Sequence, residues 1–194
     1  QSSDGAGSIR IPAHYCGVFG LMPSRGRNPS GPNSYGGTFG TFRQHVTTRS
    51  VRDSAAMLDY LHGPELGAVY RIGAPQRPFL EEVGANPGRL KIAFSTRSPS
   101  GRPVHAECIN AVEKAVRLCD ELGHYVEEAE PQYEWESFIE AFGDNWSIGY
   151  SRAAEITRSI TGRTVGPDTL EKSTLLTLQH SQSLTSEKIS AALG

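Results

Sequence analysis

The chain has 194 residues, of which 37% are hydrophobic and 21% are charged, and its formal net charge is -2. This composition fits one globular domain. The Lys and Arg residues form no basic cluster and no apolar run approaches the roughly 20 residues that span a bilayer, so we expect neither a nucleic-acid nor a membrane partner. Three cysteines without a CxxC spacing argue against a disulfide framework and a metal site, and predict a cytoplasmic location.

The N-terminal stretch is predicted to form a turn, a short helix and a strand. Two glycines precede Ser8, which is a good helix N-cap residue, and Pro12 is tolerated in a first helical turn. The apolar segment 17–22 predicts a buried strand. Residues 25–46 are rich in Gly, Pro, Asn, Ser and Thr and lack any periodicity, which predicts a long loop.

The middle of the chain is predicted to contain a helix over 48–63 and a strand–helix–strand unit over 89–131. Ser50 and Asp53 occupy capping-box positions at the start of the first helix. In the unit, strands at 89–96 and 124–131 flank an amphipathic helix at 105–123, and this order favours a parallel strand pair. A further turn of helix is predicted at 78–83. The three cysteines are expected to be packing residues.

Residues 132–194 are predicted to be helical. Their aromatic side chains recur mainly at spacings of three and four, which is typical of a packed helix face. Phe142 and Trp146 could instead line an apolar substrate pocket. Gly143 and Asp144 are expected to kink or split the first of these helices.

The sequence DGAGS at positions 4–8 is the candidate for chemistry. Glycine permits a positive φ and a close approach of other atoms, and successive amides in such a turn can bind an anion. A serine directly after the turn could therefore act as a nucleophile whose tetrahedral intermediate is held by backbone amides. A small-anion site and a purely structural turn remain alternatives, whereas GxGxxG, P-loop and GxSxG patterns are absent.

Residues 3–27 resemble the core motif of the amidase signature family, which reads approximately S/T-D-x-G-G-S-I-R-x-P-A followed by F-C-G-x-x-G-L-K-P-T-x-G-R. Segments 77–95 and 123–131 are also similar to bacterial family members that act on the 6-aminohexanoate cyclic dimer. The resemblance implies an α/β fold with a mixed central sheet covered by helices. On this resemblance, residues 1–194 are expected to form part of a single amidase-signature domain.

The resemblance also implies cleavage of a small-molecule amide through an acyl-serine intermediate, without a cofactor. Ser8 matches the nucleophile. The matching oxyanion-hole amides belong to Gly5, Ala6, Gly7 and Ser8. Asp4 and Arg10 match positions that hold the loop, and we expect them to form a local ion pair that shapes the turn. Ala6 departs from the commoner glycine of the motif.

The family's catalytic centre also uses a general-base Lys and a bridging Ser, both upstream of the core motif. Neither is found in these 194 residues, so we expect a fragment that cannot complete the catalytic centre alone. The alternative is a non-catalytic truncated paralogue with a structural or interaction role. The sequence predicts neither the particular amide nor the oligomeric state.

Overall fold

The computed structural model describes residues 1–31 and 40–193, and the chain divides into two compact units. The first unit comprises Gln1–Ala85 and Asp144–Ser190, and the second comprises Asn86–Gly143 with the few described residues after Ser190. Both units contain helices and strands, so the predicted α/β class is confirmed. The single-domain assignment stays a prediction.

Among the described residues of the first unit, four short strands form two antiparallel pairs. They are β1 (Ser2–Asp4), β2 (Phe19–Gly20), β3 (Arg43–His45) and β4 (Thr47–Thr48). β1 pairs with β3 so that Asp4 lies opposite Arg43, and β2 pairs with β4. The β1–β3 pair fixes the position of the segment that follows Asp4.

Three predictions for this region need correction. Helix α1 (Arg10–Cys16) begins two residues after Ser8, its N-cap is Ile9, and no side chain caps it. The predicted loop 25–46 is wrong at its end because β3 forms there, and residues 32–39 of that loop lie outside the described residues. The predicted strand at 17–22 is reduced to the two half-buried residues of β2.

The helix predicted over 48–63 is confirmed as α2 (Val51–Leu61). The hydroxyl of Ser50 accepts a hydrogen bond from the backbone amide of Asp53 at 3.1 Å, which satisfies one otherwise unpaired amide of the first turn. The predicted helical turn is confirmed as α3 (Phe79–Glu82), whose first amide donates to the carboxylate of Asp59 at 2.6 Å. Asp59 thereby ties α2 to α3.

The second unit contains the predicted strand–helix–strand unit. Strands β5 (Lys91–Phe94) and β6 (Tyr125–Glu128) pair in parallel, and α4 (Ala106–Glu121) connects them and packs against β6. The expected packing role of the cysteines is wrong for Cys16 and Cys108, which are exposed, whereas Cys119 is half-buried.

Three helices follow, as predicted for residues 132–194: α5 (Trp135–Thr161), α6 (Lys172–Ser183) and α7 (Ser186–Leu193). The expected split at Gly143 is wrong, because α5 continues through it and contributes to both units. No helix among the described residues has both the length and the apolar character needed to cross a bilayer. Buried side chains in the first unit include Asp4, Ile9, Ala13, His45, Ser54, Leu58, Asp144, Ser147 and Leu178.

Candidate active site

The carboxylate of Asp4 organises the loop between β1 and α1. Asp4 is fully buried, at 0% exposure. Its Oδ1 accepts hydrogen bonds from the Gly7 amide at 2.6 Å and from Arg10 Nη2 at 3.2 Å. Its Oδ2 accepts from the Ile9 amide at 3.2 Å and from Arg10 Nε at 3.0 Å. One side chain thus fixes the residues on both sides of Ser8.

These contacts control the protonation of Asp4. Burial alone would raise its pKa, but hydrogen bonds from Arg10, Gly7 and Ile9 and the charge of Arg10 outweigh burial and lower the pKa from 3.8 to about 2. The hydrogen bond to Asp4 raises the pKa of Arg10. The predicted ion pair is therefore present, and both groups are charged at neutral pH.

Two glycines of the loop are required for different physical reasons. Gly7 has φ +116°, a conformation that L side chains rarely adopt, and a Cβ at this position would lie 2.6 Å from Ile11 Cδ1. At Gly5 the constraint is space, because a Cβ there would lie 2.9 Å from Cε1 of Phe42. Larger residues at either position would push the loop away from its neighbours.

Ser8 lies at the exposed part of this loop. Within the part of the chain that the structure describes, its hydroxyl has no hydrogen-bond partner, so no Lys or His side chain is hydrogen-bonded to it. A neutral serine hydroxyl is a weak nucleophile without a base. The described residues thus present the hydroxyl without activating it.

The loop amides differ in their availability. The Gly7 amide is already engaged by Asp4, whereas the amides of Gly5, Ala6 and Ser8 have no hydrogen-bond partner among the described residues. Because a carboxylate of the chain itself occupies the Gly7 and Ile9 amides, an external anion could not take both. The amides of Gly5, Ala6 and Ser8 remain for an anion, so the small-anion alternative stays a prediction.

An aromatic pair backs the loop on the side of Gly5. The rings of Phe42 and Trp146 stack with centroids 5.6 Å apart and an interplanar angle of 26°. Trp146, which the sequence suggested as a possible pocket residue, therefore stacks on Phe42. Phe42 in turn lies against Gly5. Phe142 belongs to the second unit, where its ring stacks on Phe138.

Several contacts in this unit were not anticipated from sequence. Phe42 lies in the segment predicted to be a loop, and no local pattern marks it as a partner of Gly5. The buried Asp144 on α5 is 2.7 Å from Nε2 of His180 on α6. Their separation of 36 residues leaves no short-range signal.

A buried hydrogen bond of 2.9 Å joins Nε2 of His45 to the hydroxyl of Ser54, and it links β3 to α2. Burial lowers the pKa of His45. The side-chain amide of Asn28 donates to the carbonyl of Gln44 at 2.9 Å and also lies 3.5 Å from Nδ1 of His45. This arrangement suits a neutral imidazole that donates through Nε2, so Ser54 acts as an acceptor. Among the described residues, no group of three His, Cys, Asp or Glu side chains could hold a metal ion.

Most of the chain is similar to proteins of known sequence and structure. The chain is 33% identical over 175 residues to the 6-aminohexanoate-cyclic-dimer hydrolase of Paenarthrobacter ureafaciens, covering 88% of this chain and 36% of that protein. A solved structure of 6-aminohexanoate cyclic dimer hydrolase with substrate matches 98% of this chain and 40% of its own, with a TM-score of 0.87 and 30% identity. A bacterial aryl acylamidase of the amidase signature family matches the same shares of the two chains, with a TM-score of 0.79 and 26% identity.

The chain therefore spans little more than a third of the length of this curated relative. The sequence profile of the Amidase family matches residues 1–191. The chain belongs to the amidase signature family.

Proposed function

We propose that Ser8 is the nucleophile of an enzyme that hydrolyses a small-molecule amide. Its Oγ attacks the carbonyl carbon, the hydroxyl proton passes to the departing nitrogen, and the C–N bond breaks to release an amine. Water then attacks the resulting acyl-serine ester, which releases a carboxylic acid and restores the hydroxyl. Family membership supports this reaction class over a non-catalytic role.

The observation that carries the proposal is the arrangement around Asp4. Its carboxylate holds Gly7 and Ile9, the two neighbours of Ser8 in sequence, while the Ser8 hydroxyl stays exposed and unpaired among the described residues. A reacting group must keep a fixed position and remain accessible to substrate. A turn with only a structural role would not require an exposed serine between two fixed residues.

We further propose that the oxyanion of the tetrahedral intermediate is held by the amides of Gly5, Ala6 and Ser8. The sequence-based set also included the Gly7 amide. Because that amide donates to Asp4 at 2.6 Å, we assign Gly7 to the shape of the loop. Preorganised amides that bind developing negative charge are each worth about 100- to 1,000-fold in kcat.

No described residue is placed to act as the base that activates Ser8, so we propose that another part of the protein supplies it. The family resemblance implies a Lys and a bridging Ser upstream of the core motif, and we propose that these groups act in the complete protein. The stacked pair of Phe42 and Trp146 would form an apolar wall beside Gly5. The pocket role of Phe142 stays a prediction.

An activity assay on the complete protein tests this function. With a chromogenic anilide substrate, Ser8→Ala is expected to lower kcat/KM by at least about a thousandfold, because the acyl-serine ester cannot form. Ser3→Ala, which removes an exposed hydroxyl on β1, serves as the matched control and should retain activity. If Ser8→Ala keeps full activity while folded, Ser8 is not the nucleophile.

A further inference from the structure

A cavity of about 260 Å³ lies in the first unit between the C-terminal half of α5, the following connection and α6. Its lining includes the aromatic side chain of Tyr150 and the apolar side chains of Ala153, Ala154, Val165, Leu170 and Leu178. Ligand pockets in proteins usually measure about 300–1,000 Å³, so this volume suits a small, narrow molecule.

Three of the five threonines in the lining already donate their hydroxyls to backbone carbonyls. The hydroxyl of Thr157 donates to the carbonyl of Ala153 at 2.8 Å, and that of Thr161 donates to the carbonyl of Thr157 at 2.8 Å. The hydroxyl of Thr169 donates to the carbonyl of Thr164 at 3.0 Å. Because these hydroxyls are already satisfied by backbone, an apolar ligand would leave none of them unpaired.

One positive charge at the cavity is available to a ligand. Arg158 is paired with Glu155 at 2.9 Å, whereas the guanidinium of Arg163 has no ion-pair partner among the described residues. A guanidinium offers a planar pair of N–H donors that match a carboxylate. The cavity thus combines an apolar patch in its lining with one guanidinium that has no ion-pair partner among the described residues.

A row of aromatic rings connects the cavity to the loop that carries Ser8. The ring centroids of Tyr150 and Trp146 are 6.5 Å apart, and Trp146 stacks on Phe42. Phe42 in turn lies against Gly5. A ligand in the cavity would therefore contact the first member of a packed row that ends at the loop.

We propose that this cavity binds a medium-length aliphatic carboxylate, with its chain among the apolar side chains and its carboxylate on Arg163. Apolar burial provides affinity for the chain, and the guanidinium distinguishes an acid from a neutral molecule of equal length. The ligand is either a free alkanoate or the carboxylate end of an amide substrate.

Calorimetric titration with octanoate and with octan-1-ol tests the site without requiring activity. Octanoate is expected to bind with one-to-one stoichiometry. Arg163→Gln should weaken octanoate binding by about tenfold and leave octan-1-ol binding unchanged. Ala154→Leu, which fills the cavity, should abolish binding of both. The matched controls are Arg102→Gln and Ala111→Leu, two exposed positions away from the cavity.

Thermal melting confirms that each variant is folded before titration. Equal octanoate affinity in the wild-type protein and in folded Arg163→Gln would overturn the assignment of the carboxylate. Unchanged binding in Ala154→Leu, or no binding to the wild-type protein, would overturn the site itself.

A kinetic measurement distinguishes a free alkanoate from the carboxylate end of an amide substrate as the natural ligand. Only this measurement rests on the proposed amidase activity. Octanoate in a substrate subsite of the complete enzyme inhibits competitively, whereas octanoate as a separate effector changes kcat. Both patterns must disappear in Ala154→Leu, and an effect that persists in that variant contradicts the proposal. A wild-type enzyme that binds octanoate but hydrolyses no amide would refute the proposed function and leave the binding site intact.

Discussion

Asp4→Asn is expected to lower the free energy of unfolding by about 2 kcal/mol at neutral pH. Burial would raise the pKa of Asp4, but the bonds from Arg10, Gly7 and Ile9 lower it from 3.8 to about 2. One pKa unit corresponds to about 1.4 kcal/mol, so folding favours the ionised carboxylate by about 2 kcal/mol. Asparagine keeps one acceptor oxygen but turns an NH₂ group toward N–H donors, so at least one donor loses its partner.

The pH dependence identifies the carboxylate as the cause. Because the folded pKa of Asp4 lies below the unfolded value of 3.8, its stabilisation is complete above about pH 5 and is lost as the pH falls toward 2. Urea denaturation followed by tryptophan fluorescence should therefore separate wild-type and Asp4→Asn proteins at neutral pH and bring them together at the acid end. Asp168→Asn, at an exposed turn, should match the wild type throughout.

The difference between the two proteins is the decisive quantity, because other acid-sensitive groups are common to both. Buried His45, whose pKa is lowered from 6.5 by burial, is one such group, because it gains a proton in acid in both proteins. Equal stability of Asp4→Asn and wild type at neutral pH would refute the reasoning. A difference that persists unchanged near pH 2 would show that lost packing, not lost charge, destabilises the variant.

Two further substitutions test contacts in the first unit. Gly7→Ala is expected to lower the free energy of unfolding by about 1–3 kcal/mol, because its φ of +116° is strained for alanine and the added Cβ would meet Ile11. In chemical denaturation Gly73→Ala, whose Cβ would meet nothing within 4 Å, should match wild type, and an equally stable Gly7→Ala would contradict the assigned backbone conformation. His180→Gln is expected to cost about 1–3 kcal/mol in the same measurement, since it removes the imidazole that pairs with buried Asp144. Adding Asp144→Asn should recover part of that loss, and strictly additive effects would show that the two groups are not coupled.

Local signals were sufficient to predict the elements that depend on local contacts. Helix α2 follows from the Ser50 cap and the apolar spacing, and the parallel pair β5–β6 follows from two strands flanking an amphipathic helix. Strand β3 was missed because Arg43, Gln44 and His45 show no apolar alternation. It forms by pairing with β1, about 40 residues earlier, while His45 is buried against α2.

The candidate site likewise contains local contacts that the sequence predicted and long-range contacts that it did not. The motif pointed to Ser8 and to the pairing of Asp4 with Arg10, because these residues lie within one short turn. The engagement of the Gly7 amide could not be read from the motif, since it depends on the direction of the Asp4 side chain. The stacking of Phe42 on Trp146 joins residues about 100 positions apart, and pattern alone gives no register for such a contact.

The most direct test of the central claim is covalent labelling of the complete protein with a serine-directed fluorophosphonate, followed by peptide mass mapping. The reagent phosphonylates an activated serine hydroxyl and releases fluoride. A single adduct is expected on the peptide that contains Ser8. It should be retained in Ser3→Ala and absent from Ser8→Ala. An adduct on another serine, or equal labelling of Ser8→Ala and wild type, would contradict the assignment of Ser8 as the nucleophile.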